Sequence, residues 1–177
     1  MAENRQSLEG LENIGALVEQ YRNGLDPYTI EQLRYKANDD QWSLGQMYNH
    51  LIQSAMFMQI GAIAKCAEAE STDTAEGKSE DGQRIFQMGS FPPIKIKVPD
   101  SPQYTPSQPE SKEQLAEGLE KVWEQAQSWA AKLHEIPGNR KVKHPKLGYL
   151  NALEWFQLIE MHLRHHLRQQ ATLEQEL

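Results

Sequence analysis

The segment MHLRHHLRQQ near the C-terminal end of the chain places His162 and His166 four residues apart. On an α-helix that spacing sets two side chains about 40° apart in direction and roughly 6 Å apart along the axis. Two imidazoles so arranged can share one metal ion if a third ligand comes from elsewhere in the fold. His50, in QWSLGQMYNHLIQSA, is the candidate for that ligand. The spacing also fits an ordinary solvated pair on a charged helix, so the neighbours of each histidine must decide. Trp155, Ile159, His162, His166 and Gln169 step by four, three, four and three. The pair therefore continues a largely apolar stripe, away from Arg164 and Arg168. A buried imidazole needs partners for both ring nitrogens, and a metal ion supplies one. His50 shares an inward face with Met47 and Ser54 in the same way. Three histidines on inward helix faces make an open tripod, and three histidines plus a water is a familiar catalytic zinc arrangement.

The remaining chemistry-bearing residues read as support or structure. His165 lies about 100° round the helix from His166 and is assigned to a supporting position or the surface. His134, near the end of a helix, is expected to meet terminal carbonyls. Cys66 stands roughly 24 Å beyond His50 on one helix and cannot share its site. Gln169 is the expected polar support for His166. The tryptophans read as core anchors, with Trp155 bordering the site. No general base stands out: Glu154 is committed to a helix cap and Glu160 lies off the ligand face.

Four helices position these residues. The first spans about Leu8 to Leu25, with Leu8, Leu11, Ile14, Val18, Tyr21 and Leu25 on one stripe, and stops at Asp26-Pro27. A short helical piece over Tyr28–Tyr35 and a turn at Asn38-Asp39-Asp40 follow. The second long helix opens at Ser43, where Ser43 and Gln46 have capping-box spacing. It presents Met47, His50, Leu51, Ser54 and Met58 inward and fades near Glu70. Residues 71–110 begin polar and then hold six of the nine prolines, which predicts a long connection rather than a fifth helix. Within it Ile94, Ile96 and Val98 alternate with lysines, as suits an extended strip over the bundle. The third helix starts at Ser111, with Gln114 as capping partner. Its stripe is Leu115, Leu119, Val122, Ala126, Trp129 and Leu133. The fourth opens at Asn151, capped reciprocally by Glu154, and runs to about Leu173. No strand pairing is expected. The economical fold is all-α: a single domain over residues 1–177, an antiparallel four-helix bundle with one long Pro-rich connection.

Composition narrows the function. Hydrophobic residues make up 38% of the 177, enough for a packed core. A net charge of −7, with Lys and Arg scattered, argues against a nucleic-acid surface. The N-terminus lacks the apolar core of a signal peptide, and no apolar run approaches the roughly 20 residues of a membrane span. With Cys66 as the only cysteine, no internal disulfide is possible. A cytoplasmic protein is the expectation.

WSLGQMYNHLIQSA and HPKLGYLNALEWFQLIEMHLRHHLRQ together resemble the DinB-like (DinB/YfiT) superfamily. The specific part is the H-P-x-x-G-x-L-N-A-x-E-W lead-in followed by H-x-x-H-H-x-x-Q. The resemblance covers the second and fourth helices closely and the other two only through their apolar pattern. It implies a four-helix bundle with one divalent ion held by His50, His162 and His166. Imidazole accepts several metals, with zinc or nickel favoured here. It also implies a homodimer and a small-molecule substrate. Relatives include thiol transferases using bacillithiol, mycothiol or glutathione, so a thiol S-transferase with a low-molecular-weight thiol co-substrate is the leading expectation. A metal-dependent hydrolase, or a non-catalytic metal-stabilised dimeric binding protein, are the alternatives. A structural zinc site is normally closed by four protein ligands, and only three are found.

Overall fold

The computed structural model describes residues 2–68, 72–93 and 105–177. Helix α1 (Ala2–Leu25) buries Ile14, Leu17, Val18, Tyr21 and Leu25. Leu8, expected on that stripe, is exposed. Ser7 and Gly10 take the inward positions instead: the Ser7 hydroxyl donates to the Ala130 carbonyl, and Gly10 lies against Phe156. After the stop at Asp26-Pro27 comes α2 (Ile30–Arg34), closed by a capping box between Thr29 and Gln32.

Helix α3 (Leu44–Gln53) opens as its sequence predicts. Ser43 Oγ accepts from the Gln46 N–H, and Gln46 Oε1 accepts from the Ser43 N–H, each at 3.0 Å. Beyond Gln53 the helix widens. Ser54–Ile60 is π-helical, so its backbone bonds close one residue later than in an α-helix, and α4 (Gly61–Ala67) then resumes the normal pitch. The widening rotates the buried face by one position. Met58, expected inward, is 44% exposed, and Gln59 is buried in its place.

Two further helices complete the bundle. In α6 (Lys112–Ala130) Leu115, Leu119, Val122 and Ala126 are buried, and a 3-10 turn over Leu133–Glu135 ends the segment. Ser111 caps α6 by accepting from the Gln114 N–H, but Gln114 Oε1 accepts from Glu110 rather than from Ser111. Helix α7 (Ala152–Glu174) has the complete Asn151–Glu154 box.

The direction of these helices corrects the antiparallel expectation. Ser7 meets Ala130 and Arg22 meets Glu120, so α1 and α6 run oppositely. His50 meets His162 and Gln59 meets Leu158, so α3–α4 and α7 also run oppositely. Gly10 lies on Phe156 while Tyr21 bonds Leu163, which makes α1 and α7 parallel. Asn49 bonds Gln114 while Gly118 lies on Ile52, so α3 and α6 are parallel too. A short loop after α4 would have forced an antiparallel neighbour. The long connection instead returns the chain to the end where α3 began, the kind of crossover that some bundles use.

That connection is not structureless. It contains α5 (Glu80–Met88), capped by Ser79 at its start and by the left-handed Gly89 at its end, against the expectation of no fifth helix. A small antiparallel sheet joins β1 (Thr72–Asp73), β2 (Arg140–His144) and β3 (Gly148–Asn151) in that order, with Val142 opposite Leu150. These strands are too short to leave an alternating pattern in sequence, and RKVKH has a single apolar residue. The 94–98 strip lies outside the described residues.

The H-P-x-x-G lead-in explains how α5 is held. His144 Nδ1 accepts from the N–H groups of Lys146 and Leu147, tightening the β2–β3 turn. The Ser79 N–H donates to the Leu147 carbonyl, and the Tyr149 N–H donates to Gly77. Gly148 has φ +82, and a Cβ there would lie 2.4 Å from the Ser79 nitrogen. Glu154, besides capping α7, pairs with Lys78. No helix among the described residues is long and apolar enough to cross a membrane.

Candidate metal centre

His50 is brought to the site by α3, and His162 and His166 by successive turns of α7. The Nε2 atom of His162 lies 3.1 Å from that of His50 and 3.1 Å from that of His166. Among the described residues this is the one group of three or more His, Cys, Asp or Glu side chains whose ligand atoms all lie within 4.8 Å of one another. Each of the three is partly buried.

The donor set fits a divalent ion. Zn–N bonds of about 2.0–2.1 Å in a tetrahedral site put neighbouring nitrogens roughly 3.3–3.4 Å apart, close to the spacing here. Gln169 Oε1 accepts from His166 Nδ1–H at 2.7 Å, which leaves the His166 lone pair on Nε2, pointing into the cluster. Ser54 Oγ stands 3.5 Å from Nδ1 of His50, a looser version of the same support. Nitrogen lone pairs that converge at this distance repel unless a proton or a cation lies between them.

Charge on the rings is disfavoured. Burial, then the nearby His166 and His165, holds His50 down at about 3. Burial holds His166 at about 4, although the Gln169 hydrogen bond works upward. His162 sits well below the ordinary histidine value, again through burial first and its histidine neighbours second. The rings are therefore neutral near pH 7, the form that ligates a metal.

Several readings of individual side chains change. The indole against the cluster is Trp42, whose ring centroid is 5.1 Å from that of His50. Trp155, expected to border the site, packs its buried indole against His144 at 5.3 Å. Sequence reasoning missed Trp42, although a large apolar residue just before the N-cap Ser43 was a usable signal. It also missed Phe91, which follows α5 and lies 5.5 Å from His165 and 6.5 Å from His162. Nothing local marked Phe91, because it stands among prolines. His165 lies beside His166 at 5.2 Å, outside the converging group. His134 is exposed near Glu135 and makes no capping bond to a carbonyl among the described residues. Cys66 is buried, with Leu150 as its hydrogen-bond acceptor. Glu160 is held by Arg164.

The profile of the DinB superfamily matches residues 16–170, a span that includes all three histidines. The chain belongs to the DinB superfamily. A solved structure with the same fold is YfiT from Bacillus subtilis, 18% identical, with a TM-score of 0.59 over 98% of this chain and 86% of that one. YfiT is described as a probable metal-dependent hydrolase with an unusual four-helix bundle topology. No protein of curated function matches the chain at a significant level. Within this DinB bundle, the arrangement can present three neutral nitrogen donors to one ion, and no fourth His, Cys, Asp or Glu joins them among the described residues.

Proposed function

We propose that this DinB-superfamily chain is a metal-dependent enzyme acting on a small molecule, with one divalent ion, zinc or nickel, held by His50, His162 and His166. The observation that carries the reading is the convergence of three neutral imidazole nitrogens at 3.1 Å contacts, with Gln169 keeping one lone pair turned inward. Because all three donors are neutral, an ion held there would keep its full charge and activate an anionic partner, either a thiolate or a hydroxide. The residues of this chain orient and shield that position. Gln169 and Ser54 set the rings of His166 and His50, while burial keeps competing protons off all three.

The leading reaction is transfer of a low-molecular-weight thiol, of the bacillithiol type, to an electrophile. Among the described residues no acidic side chain joins the cluster: Glu154 is engaged by its cap and Lys78, Glu160 by Arg164. A thiol ionises more readily than water and so needs a protein base least. Hydrolysis is the second reading, favoured by the description of YfiT. Assays of metal-reconstituted protein with bacillithiol, glutathione and simple thiols, each with and without metal, test the proposal. The expected outcome is metal-dependent conjugation that disappears in His162→Ala. Metal-dependent ester or amide cleavage without thiol would support the hydrolase instead. A filled site with no turnover in either assay would leave a metal-stabilised binding protein.

A further inference from the structure

Two aromatic rings reach the histidine cluster from outside the four bundle helices. Trp42 arrives from the loop before α3 and lies against His50; Phe91 arrives from the exit of α5 and lies against His162 and His165. Both side chains are only partly buried, so flat apolar surface stays accessible beside a polar centre. Neither ring belongs to the fully buried core of Trp155, Tyr21, Tyr48 and Phe156, although Phe91 packs one side against it.

The placement of Phe91 is heavily specified. Gly89 ends α5 in a left-handed turn, and its carbonyl accepts from Arg164 at 2.5 Å. The Pro93 carbonyl accepts from Arg168 at 2.9 Å. Two residues of α7, one turn apart and flanking His166, thus pin the backbone on either side of Phe91. The same bonds occupy two cations of the helix that carries His162 and His166, and Arg164 is also paired with Glu160. Guanidinium groups engaged in this way are poorly placed to receive a carboxylate or phosphate on a substrate. Among the described residues, Trp42 and Phe91 are what add flat apolar surface beside the cluster.

We propose that Trp42 and Phe91 form an aromatic subsite that selects ligands whose metal-seeking group is carried on a flat apolar body, such as an aryl group. The inference rests on the reading that the three histidines hold a divalent ion, and its test separates the two. Cobalt(II)-loaded protein is titrated with acetohydroxamate and with benzohydroxamate, following the visible absorption of the cobalt. Partial burial of a phenyl group against two rings predicts about tenfold tighter binding of the aryl probe. Phe91→Ala should cut that preference to roughly twofold with little change for acetohydroxamate, and Trp42→Ala should also reduce it. Phe91→Leu, which keeps apolar volume but lacks a flat face, serves if Phe91→Ala folds poorly, and should lose most of the preference too. Arg168→Ala, which frees the Pro93 carbonyl, should weaken the preference without altering cobalt stoichiometry. Met88→Ala, at an exposed position of the same segment, should retain it. Equal affinities for the two probes, or a preference that survives both aromatic substitutions, would overturn the subsite. A protein that takes up no cobalt would overturn the metal reading beneath it, and the subsite with it.

Discussion

Replacing Gly148 with alanine tests whether the H-P-x-x-G lead-in anchors the long connection. Gly148 has φ +82, and left-handed backbone costs a residue with a Cβ about 1–2 kcal/mol. The new Cβ would stand 2.4 Å from the Ser79 nitrogen, 2.7 Å from the Gly77 oxygen and 2.8 Å from the Lys78 carbonyl carbon. All three neighbours are backbone, so no rotamer change relieves the contact and the 77–79 segment must lift. Lifting loosens the bonds from Ser79 N–H to Leu147 O at 2.9 Å and from Tyr149 N–H to Gly77 O at 3.0 Å. Each is worth about 0.5–1.5 kcal/mol, so the total loss is about 2–5 kcal/mol. For a chain of this size that is a fall of roughly 4–20 °C in melting temperature. Gly89→Ala supplies the comparison, since Gly89 has φ +63 but nothing within 4 Å of its added Cβ. It should show only the conformational cost, about 1–2 kcal/mol. Gly138, with open space and no positive φ, should be near neutral. Thermal melts of the three variants, with hydrogen exchange of the Glu80–Met88 amides, give the reading. If Gly148→Ala is no less stable than Gly89→Ala, the anchor argument is wrong.

The other predictions concern the cluster and the assembly. Elemental analysis of reconstituted protein should find about one divalent ion per chain, with binding severely weakened in His162→Ala; equal metal content in that variant would refute the site. Gln169→Leu should lower metal affinity about 10–100-fold by chelator competition, because it removes the acceptor that orients His166. Burial pushes the Cys66 thiol from 9.0 up to about 11, so its reactive thiolate is scarce in the folded chain, and thiol labelling at pH 8 should require unfolding. The same raised value means that this thiol's contribution to stability is complete below about pH 9 and is lost as pH rises through about 11, which an alkaline unfolding series should register. Light scattering should give a homodimer of about 40 kDa, twice the 20.3 kDa chain; a 20 kDa particle at micromolar concentration would count against it.

By itself the sequence determined what depends on near neighbours. The Ser43–Gln46 and Asn151–Glu154 boxes could be read because each satisfies backbone groups three residues away. The apolar stripes of α1, α6 and α7 could be read because helical periodicity repeats every few residues, with Leu8 the slip where small inward residues, Ser7 and Gly10, broke the pattern. His162 and His166 belong to the same class, and their i, i+4 spacing already placed them together. What only the tertiary structure decided is set by contacts between distant segments. The π-helical widening after Gln53 turned Gln59 inward in place of Met58, a shift that residue types alone do not signal. The parallel pairing of α3 with α6 follows from where the long connection comes down, which is a property of the whole bundle. The helix α5 carries local marks in Ser79, Glu80, Asp81 and Gly89, but its position is set by Leu147, Gly148 and Tyr149 from some seventy residues away in sequence. Phe91 reaches the histidines only because of that docking. Local hydrogen bonds and periodic burial are written within a few residues, whereas helix direction and the aromatic surroundings of the cluster arise from packing across the fold.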